Sequence, residues 1–335
     1  MRVKRFGILT SGGDAPGLNA AIRAVCRTAA IQYGMTAVGI KNGYRGLIEN
    51  NCFELSADDI PGILTRGGTI LGTSREKPFK NPEPDENTGL LPVEAIKRTY
   101  ELQKMDALVC IGGNGTNSTA SLLAEEGLNV IGLPKTIDND IVKTDVTFGF
   151  NTALGVATEA IDRIHTTAHS HSRIMVIEVM GHKAGWLSLY SGIAGGADVI
   201  LLPEIPYDID SVAECVMKRR DAGKEFSIVV VAEGAFSKDE ALLPKKELKG
   251  EGNSCRIQSH TAWRTSLRRR PGLSLASPCS DICSVAEHRR RMTGFCQRSS
   301  GLPERIFLRK RNSEISWQCR TTRLFLFRVP KLQER

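Results

Sequence analysis

Phe6-Gly-Ile-Leu-Thr-Ser-Gly-Gly-Asp-Ala-Pro-Gly-Leu-Asn19, followed by the helical composition of Ala20–Ala30, decides the fold. The apolar run Phe6–Leu9 ends in paired glycines and passes straight into a helix. The same order recurs downstream. Ala107–Ile111 ends in glycines and precedes a helix expected near Thr119–Glu126. Further apolar runs lie at Asn129–Leu133, Ile174–Val179, Val199–Leu202 and Ser227–Ala232, with helical stretches near Thr152–Ala168 and Val212–Ala222 between them. Strand, loop, helix, strand is the signature of right-handed βαβ units on a parallel sheet. Runs this apolar suit a sheet covered on both faces. The reading is α/β: two Rossmann-like parallel-sheet domains with helices on both faces, over residues 1–140 and 141–250, and an irregular tail over 251–335 that is expected to be disordered.

The tail is set apart by composition. Residues 1–250 carry 27 Lys+Arg and 31 Asp+Glu, a net charge of −4, whereas residues 251–335 carry 18 and 6, a net +12. Sixteen of those 18 cations are Arg, and five of the nine Cys lie there. The other four, Cys26, Cys52, Cys110 and Cys215, have no metal-ligand spacing, and three sit in apolar settings that suit reduced core thiols. No apolar run approaches the ~20 residues of a membrane span. The N-terminus reads as a strand rather than a signal peptide. The expectation is a cytoplasmic protein with no membrane partner.

Four strand ends carry chemistry, because ligands of such sheets sit at the carboxyl ends of the strands. The first, Thr10–Asn19, offers backbone N–H groups and a helix N-terminus to a polyphosphate; the bland alternative is a tight turn. The second, Gly67-Gly-Thr-Ile-Leu-Gly-Thr-Ser-Arg75, ends in a guanidinium that could grip phosphate or lie solvated. The third, Ile111-Gly-Gly-Asn-Gly-Thr116, is a second backbone cradle or a plain turn. The fourth, Leu133-Pro-Lys-Thr-Ile-Asp-Asn-Asp140, gathers two carboxylates, a hydroxyl and an ammonium. Such a cluster is costly for packing alone. One carboxylate could take a proton from an attacking hydroxyl while the other helps hold a Mg²⁺-bound phosphate.

Taken together these loops resemble the phosphofructokinase family. The resemblance runs from Phe6 to about Ala235. It includes Thr147-Phe-Gly-Phe-Asn-Thr-Ala153, Ser172-Arg-Ile-Met-Val-Ile-Glu-Val-Met-Gly181, Ala194-Gly-Gly-Ala197 and Val231-Ala-Glu-Gly234. It implies an enzyme phosphorylating fructose 6-phosphate in glycolysis, with residues 1–140 binding nucleotide and 141–250 binding sugar phosphate. Gly13, Tyr44, Arg75, Glu76, Gly113, Asn114, Gly115 and Thr116 would line the nucleotide site. Asp138 would be the base that takes the proton of the sugar 1-hydroxyl, with Thr136 and Asp140 supporting site and metal. Met180, Gly181, His182 and Glu233 would contact the sugar, and Arg173 would reach the sugar phosphate of a neighbouring subunit. A tetramer or dimer is therefore expected, with ATP as donor and Mg²⁺ as cofactor.

Three positions depart from the family pattern. Asn114 stands where most relatives have Asp, so its help to the metal would be weaker and indirect. His182 stands where many have Arg. Lys135 is shared with pyrophosphate users, but Gly115 points to ATP because pyrophosphate users often carry Asp there. A pyrophosphate-dependent enzyme stays open as an alternative.

Two features invite other readings. His165, His169 and His171 could suggest a metal, but polar residues at a helix end fit better. The tail's Arg runs, Arg268–Arg270 and Arg289–Arg291, with Trp263 and Trp317, could suggest a nucleic-acid arm. A shifted reading frame explains the tail better. From Ser280 and Asp281 onward, shifted codons permit Gly-His-Met-Gln-Arg-Gly-Gly-Thr-Pro-Ser-Ala-Asp-Asp-Arg, the family's sugar-phosphate motif, and one Asp is forced whatever the codon choice. The shift would fall between Phe236 and Thr261. The chain as written would then lack its phosphate clamp, be impaired, or survive as a non-catalytic nucleotide-binding remnant. No nucleic-acid partner is expected.

Overall fold

The computed structural model describes residues 3–56, 59–80, 83–84, 89–242, 307–311 and 314–318. Its compact units divide near residue 149. The first holds the chain through Thr136, Asp140–Gly149 and His288–Arg335, and the second holds Ile137–Asn139 and Phe150–Glu287.

The first unit is built on β1 (Arg5–Thr10), β2 (Thr36–Ile40), β3 (Cys52–Leu55), β4 (Ala107–Gly112), β5 (Val130–Thr136) and β6 (Phe148–Gly149), in the order β3-β2-β1-β4-β5-β6. All neighbours are parallel except β3, an antiparallel edge strand beside β2. The helices are α1 (Leu18–Tyr33), α2 (Tyr44–Ile48), α3 (Pro92–Leu102) and α4 (Asn114–Glu125).

Alternation along the strands explains the layering. Ile8, Val109 and Ile111 face a core with Leu18, Ile22, Val25 and Cys26 of α1. Leu9, Leu108 and Cys110 face the opposite core, with Tyr44 and Leu47 of α2, Ile96 of α3, and Ala120 and Leu123 of α4. Successive strand side chains point to opposite faces, so one apolar run feeds two cores. Helix α1 repeats apolar residues at Leu18, Ile22, Val25 and Ala29, and ends at Gly34 (φ 61°), whose N–H reaches the Ala29 and Ala30 carbonyls.

In the second unit α5 (Phe150–His171), β7 (Ile174–Val179), α6 (Trp186–Ala194), β8 (Val199–Leu201), α7 (Ile209–Asp221), β9 (Ser227–Ala232) and α8 (Lys238–Ala241) follow in order. The strands form a parallel sheet, β7-β9-β8. Val229 and Val231 pack with Val212, Ala213 and Val216 of α7 on one face; Ile228 and Val230 pack with Ala157, Ile161 and Ile164 of α5 on the other.

Two boundaries correct the sequence reading. Helix α4 starts at Asn114 rather than near Thr119, because the strand hands directly to the helix with only Gly113 between. Strand β5 runs on to Thr136, where Lys135 and Thr136 pair with Phe148 and Gly149. The short strands β2 and β3 carry little sequence signal of their own, since Gly39 interrupts one and the other is a four-residue edge. In the tail, Phe307–Arg311 and Glu314–Gln318 pair as antiparallel strands β10 and β11, a departure from irregularity over those residues. The other expectations for residues 251–335 lie outside the described residues, as do the Arg runs. No helix among the described residues is long and apolar enough to cross a membrane.

Candidate active site

The strand order reverses between β1 and β4, so the connections leaving these two strands diverge to opposite sides. Such a switch point is where open α/β sheets place ligands. The two glycine-rich ends meet there: the Ser11 N–H donates to the Ile111 carbonyl at 3.0 Å.

Each loop is fixed by named bonds. In the first, the Gly12 N–H donates to the Ser74 carbonyl at 2.9 Å and the Lys135 ammonium donates to the Gly13 carbonyl. Gly13 itself is exposed, and Lys135 is buried at 5% exposure. The second loop, Gly67–Arg75, is stitched to β1 and α1. Thr10 Oγ1 donates to the Gly72 carbonyl (2.7 Å) and Thr73 Oγ1 to the Gly12 carbonyl (2.5 Å). Arg75 at its end is exposed and Glu76 half-buried.

At the start of α4, Gly113, Asn114, Gly115 and Thr116 form the cap and first turn, whose N–H groups lack intrahelical partners by geometry. Gly112 is required here because a Cβ would lie 2.3 Å from Thr116 Oγ1. A Cβ on Gly115 would meet nothing within 4 Å. Tyr44 is buried at 1% exposure and its hydroxyl donates to the Thr116 carbonyl at 2.9 Å. It therefore stands beneath the first turn of α4. Burial pushes its phenol well above the ordinary range, with Cys110 adding to the effect.

The acidic segment leaves the end of β5. Thr147 Oγ1 donates to the Thr136 carbonyl at 2.7 Å, and Asn139 takes a left-handed φ of 52°. Asp138 is half-buried and Asp140 exposed. The Asn114 side-chain N–H donates to Asp140 Oδ2 at 2.9 Å.

In the second unit β7 and β9 end side by side. Glu233 accepts from the N–H groups of Gly181 (3.4 Å) and His182 (3.1 Å), and its own N–H donates to the Val179 carbonyl at 2.8 Å. A Cβ on Gly181 would approach the Ala184 carbonyl to 2.5 Å, and His182 sits at φ 51°. Met180 is half-buried, and Arg173, before β7, is exposed. The carboxylate thus pins a tight turn that exposes the His182 side chain.

His165 and His169 are engaged in packing and hydrogen bonding. His165 Nε2 bonds to the Gly195 carbonyl at 2.6 Å, and both His165 and His169 meet Phe226 edge-on. Among the described residues no group of three or more His, Cys, Asp or Glu could hold a metal. The Asn114 amide and the Asp140 carboxylate, 2.9 Å apart, are too few ligands for an all-protein Mg²⁺ cage and suit an ion carried largely by a polyphosphate. What sequence reasoning missed is the support: Thr10, Thr73 and Asn19 read as ordinary polar residues, and only pairing across the fold gives them roles.

The sequence pattern of the phosphofructokinase family matches residues 5–297. An ATP-dependent 6-phosphofructokinase from Spirochaeta thermophila is 64% identical over 246 residues, 72% of this chain and 67% of that one. The ATP-dependent 6-phosphofructokinase of Propionibacterium freudenreichii is 56% identical over 237 residues, 71% of this chain and 63% of that one. The match thus spans about two thirds of these relatives' length. Among solved structures, the phosphofructokinase of Saccharomyces cerevisiae superposes with a TM-score of 0.68 at 32% identity, over 88% of this chain and 40% of that chain. A pyrophosphate-dependent phosphofructokinase from Marinobacter aquaeolei gives 0.59 at 26% identity, over 70% and 62%.

Proposed function

We propose, for a chain that belongs to the phosphofructokinase family, transfer of the terminal phosphoryl group of ATP to the 1-hydroxyl of fructose 6-phosphate, giving fructose 1,6-bisphosphate in glycolysis. The observation that carries this reading is the 64% identity to an ATP-dependent 6-phosphofructokinase. The meeting of two glycine cradles at the switch point of the first sheet supports it.

Asp138 takes the proton of the 1-hydroxyl as that oxygen attacks the γ-phosphorus. The bond from phosphorus to the β,γ-bridging oxygen breaks and ADP leaves. Gly13, the first turn of α4, Arg75 and Glu76 position the donor, and the open space beside Gly115 leaves room for a nucleotide's α-phosphate. Thr136 and Asp140 support Asp138 and the metal. Met180, Gly181, His182 and Glu233 hold the sugar, and Arg173 serves a neighbouring subunit in a cytoplasmic dimer or tetramer. Asp140 and Asn114 would help hold a Mg²⁺ brought with ATP, whose charge would neutralise that of the phosphates.

The out-of-frame tail bears on whether this exact chain turns over. With the phosphate clamp missing, donor binding survives and turnover falls. Sequencing of the gene between the codons for Phe236 and Thr261 is the direct test of the shift.

The purified chain and a frame-restored version are assayed for fructose 1,6-bisphosphate with ATP or pyrophosphate as donor. The expected result is full ATP-dependent activity in the restored chain and little in the chain as written. No sugar-phosphate product in either version overturns the kinase reading; a preference for pyrophosphate overturns the donor.

A further inference from the structure

The loop Gly67–Arg75 has little regular structure of its own, yet its backbone is held at nearly every step. The anchor is Asn19, in the first turn of α1 and only 3% exposed. Its amide N–H₂ donates to the Arg66 carbonyl (3.1 Å) and the Gly68 carbonyl (2.7 Å), and its carbonyl accepts from the Ile70 N–H at 2.9 Å. Two acceptors and one donor fix the orientation of the amide. Asp in its place could not donate, and Gln would not fit the same distances. Past Ile70 other groups take over. Lys41 Nζ donates to the Ile70 carbonyl at 3.0 Å, the Asn42 N–H donates to the Leu71 carbonyl at 2.8 Å, and Thr10 takes the Gly72 carbonyl. The Ser74 carbonyl accepts from both the Gly12 N–H and Ser11 Oγ.

We propose that Asn19 is a positioning residue for phosphoryl-donor binding: it does not touch the donor, but sets the path of the Gly67–Arg75 loop and so the place from which the Arg75 guanidinium reaches phosphate. This rests on reading the glycine-rich loops as the donor site. A buried amide spending all three bonds on one loop fixes its path at Arg66, Gly68 and Ile70, from which the chain leads on to Arg75. A small misplacement of a phosphate-gripping guanidinium is costly, because its charge-assisted bonds are directional.

The test uses the full chain in three forms: native, Asn19→Asp, and Thr10→Val, a nearly isosteric change that loosens the same loop from β1. Two quantities are read: MgATP affinity by calorimetry, and amide hydrogen exchange of residues 68–75 against that of β9 in the other unit. The expected result is an affinity loss of about tenfold or more in both variants. Exchange should rise in residues 68–75 and stay unchanged in β9. A merely structural defect would speed exchange in both places, and that outcome overturns the positioning role. A native chain that binds MgATP, with variants that match it in affinity and loop exchange, overturns the inference alone. Faster loop exchange in variants of a native chain that binds no ATP overturns the inference together with the donor-site reading.

Discussion

The Asn114 amide donates to the Asp140 carboxylate at 2.9 Å, joining the first turn of α4 to the acidic segment after β5. An amide makes this pairing neutral on one side, so the contact closes without a cation. Asn114→Asp would set two carboxylates against each other, which a divalent cation relieves. The variant should melt lower than the native chain without metal and regain stability on adding Mg²⁺. Equal Mg²⁺ responses of the melting temperature in the two proteins would show that the pair is not a metal-sensitive contact.

Tyr44→Phe removes the hydroxyl that supports the Thr116 carbonyl while keeping the ring in the core. A net loss of about 1 kcal/mol is expected, the usual size for one neutral hydrogen bond. Urea midpoints measure it. A variant as stable as the native chain would mean that the carbonyl is equally well served by its helix.

Gly115→Asp meets no steric obstacle, since a Cβ there points into open space. The fold should therefore tolerate it. On the proposed donor site a carboxylate here would crowd the α-phosphate that ATP has and pyrophosphate lacks, so the ratio of the two affinities should shift toward pyrophosphate. An unchanged ratio by competitive titration would remove Gly115 from donor selection.

Glu233→Ala deletes the acceptor of the Gly181 and His182 N–H groups and frees a turn held at His182 φ 51°. In the frame-restored chain, fructose 6-phosphate affinity should fall by about tenfold or more while ATP affinity holds. Equal losses for both ligands would point to general unfolding rather than to the sugar site.

Burial pushes the Cys26 and Cys110 thiols up to about 12 and the Cys52 thiol to about 11, against an ordinary 9.0. A thiol raised in the folded state stabilises fully below the unfolded value and loses that contribution as pH rises through the folded one. Unfolding free energy should therefore fall from about pH 9 upward. Alkylation at pH 8 followed by peptide mapping should mark the exposed Cys215 well before Cys26 or Cys110. Rapid labelling of the two buried thiols would contradict the packing around them.

Much of the molecule is legible in the order of its residues. Phe6–Leu9 and Ala107–Ile111 are apolar at every position, which demands burial on both faces, and a Gly-rich turn leading into a helix leaves a parallel sheet as the economical answer. The spacing of glycines at both strand ends suits a phosphate cradle, as proposed, because backbone N–H groups are left to line it. The composition break near residue 250 is likewise a property of sequence alone. Tertiary structure decided the rest. The strand order that brings β1 beside β4, the extension of β5 through Lys135, and the burial of Tyr44 beneath α4 all depend on pairings between residues distant in the chain. So does the role of Asn19, which bonds to residues 47 to 51 positions away. A polar side chain reads the same in sequence whether water or a buried carbonyl satisfies it. Its partner exists only once the sheet has brought the loop alongside the helix, and that is why local periodicity could announce the elements but not the bonds that hold the loops in place.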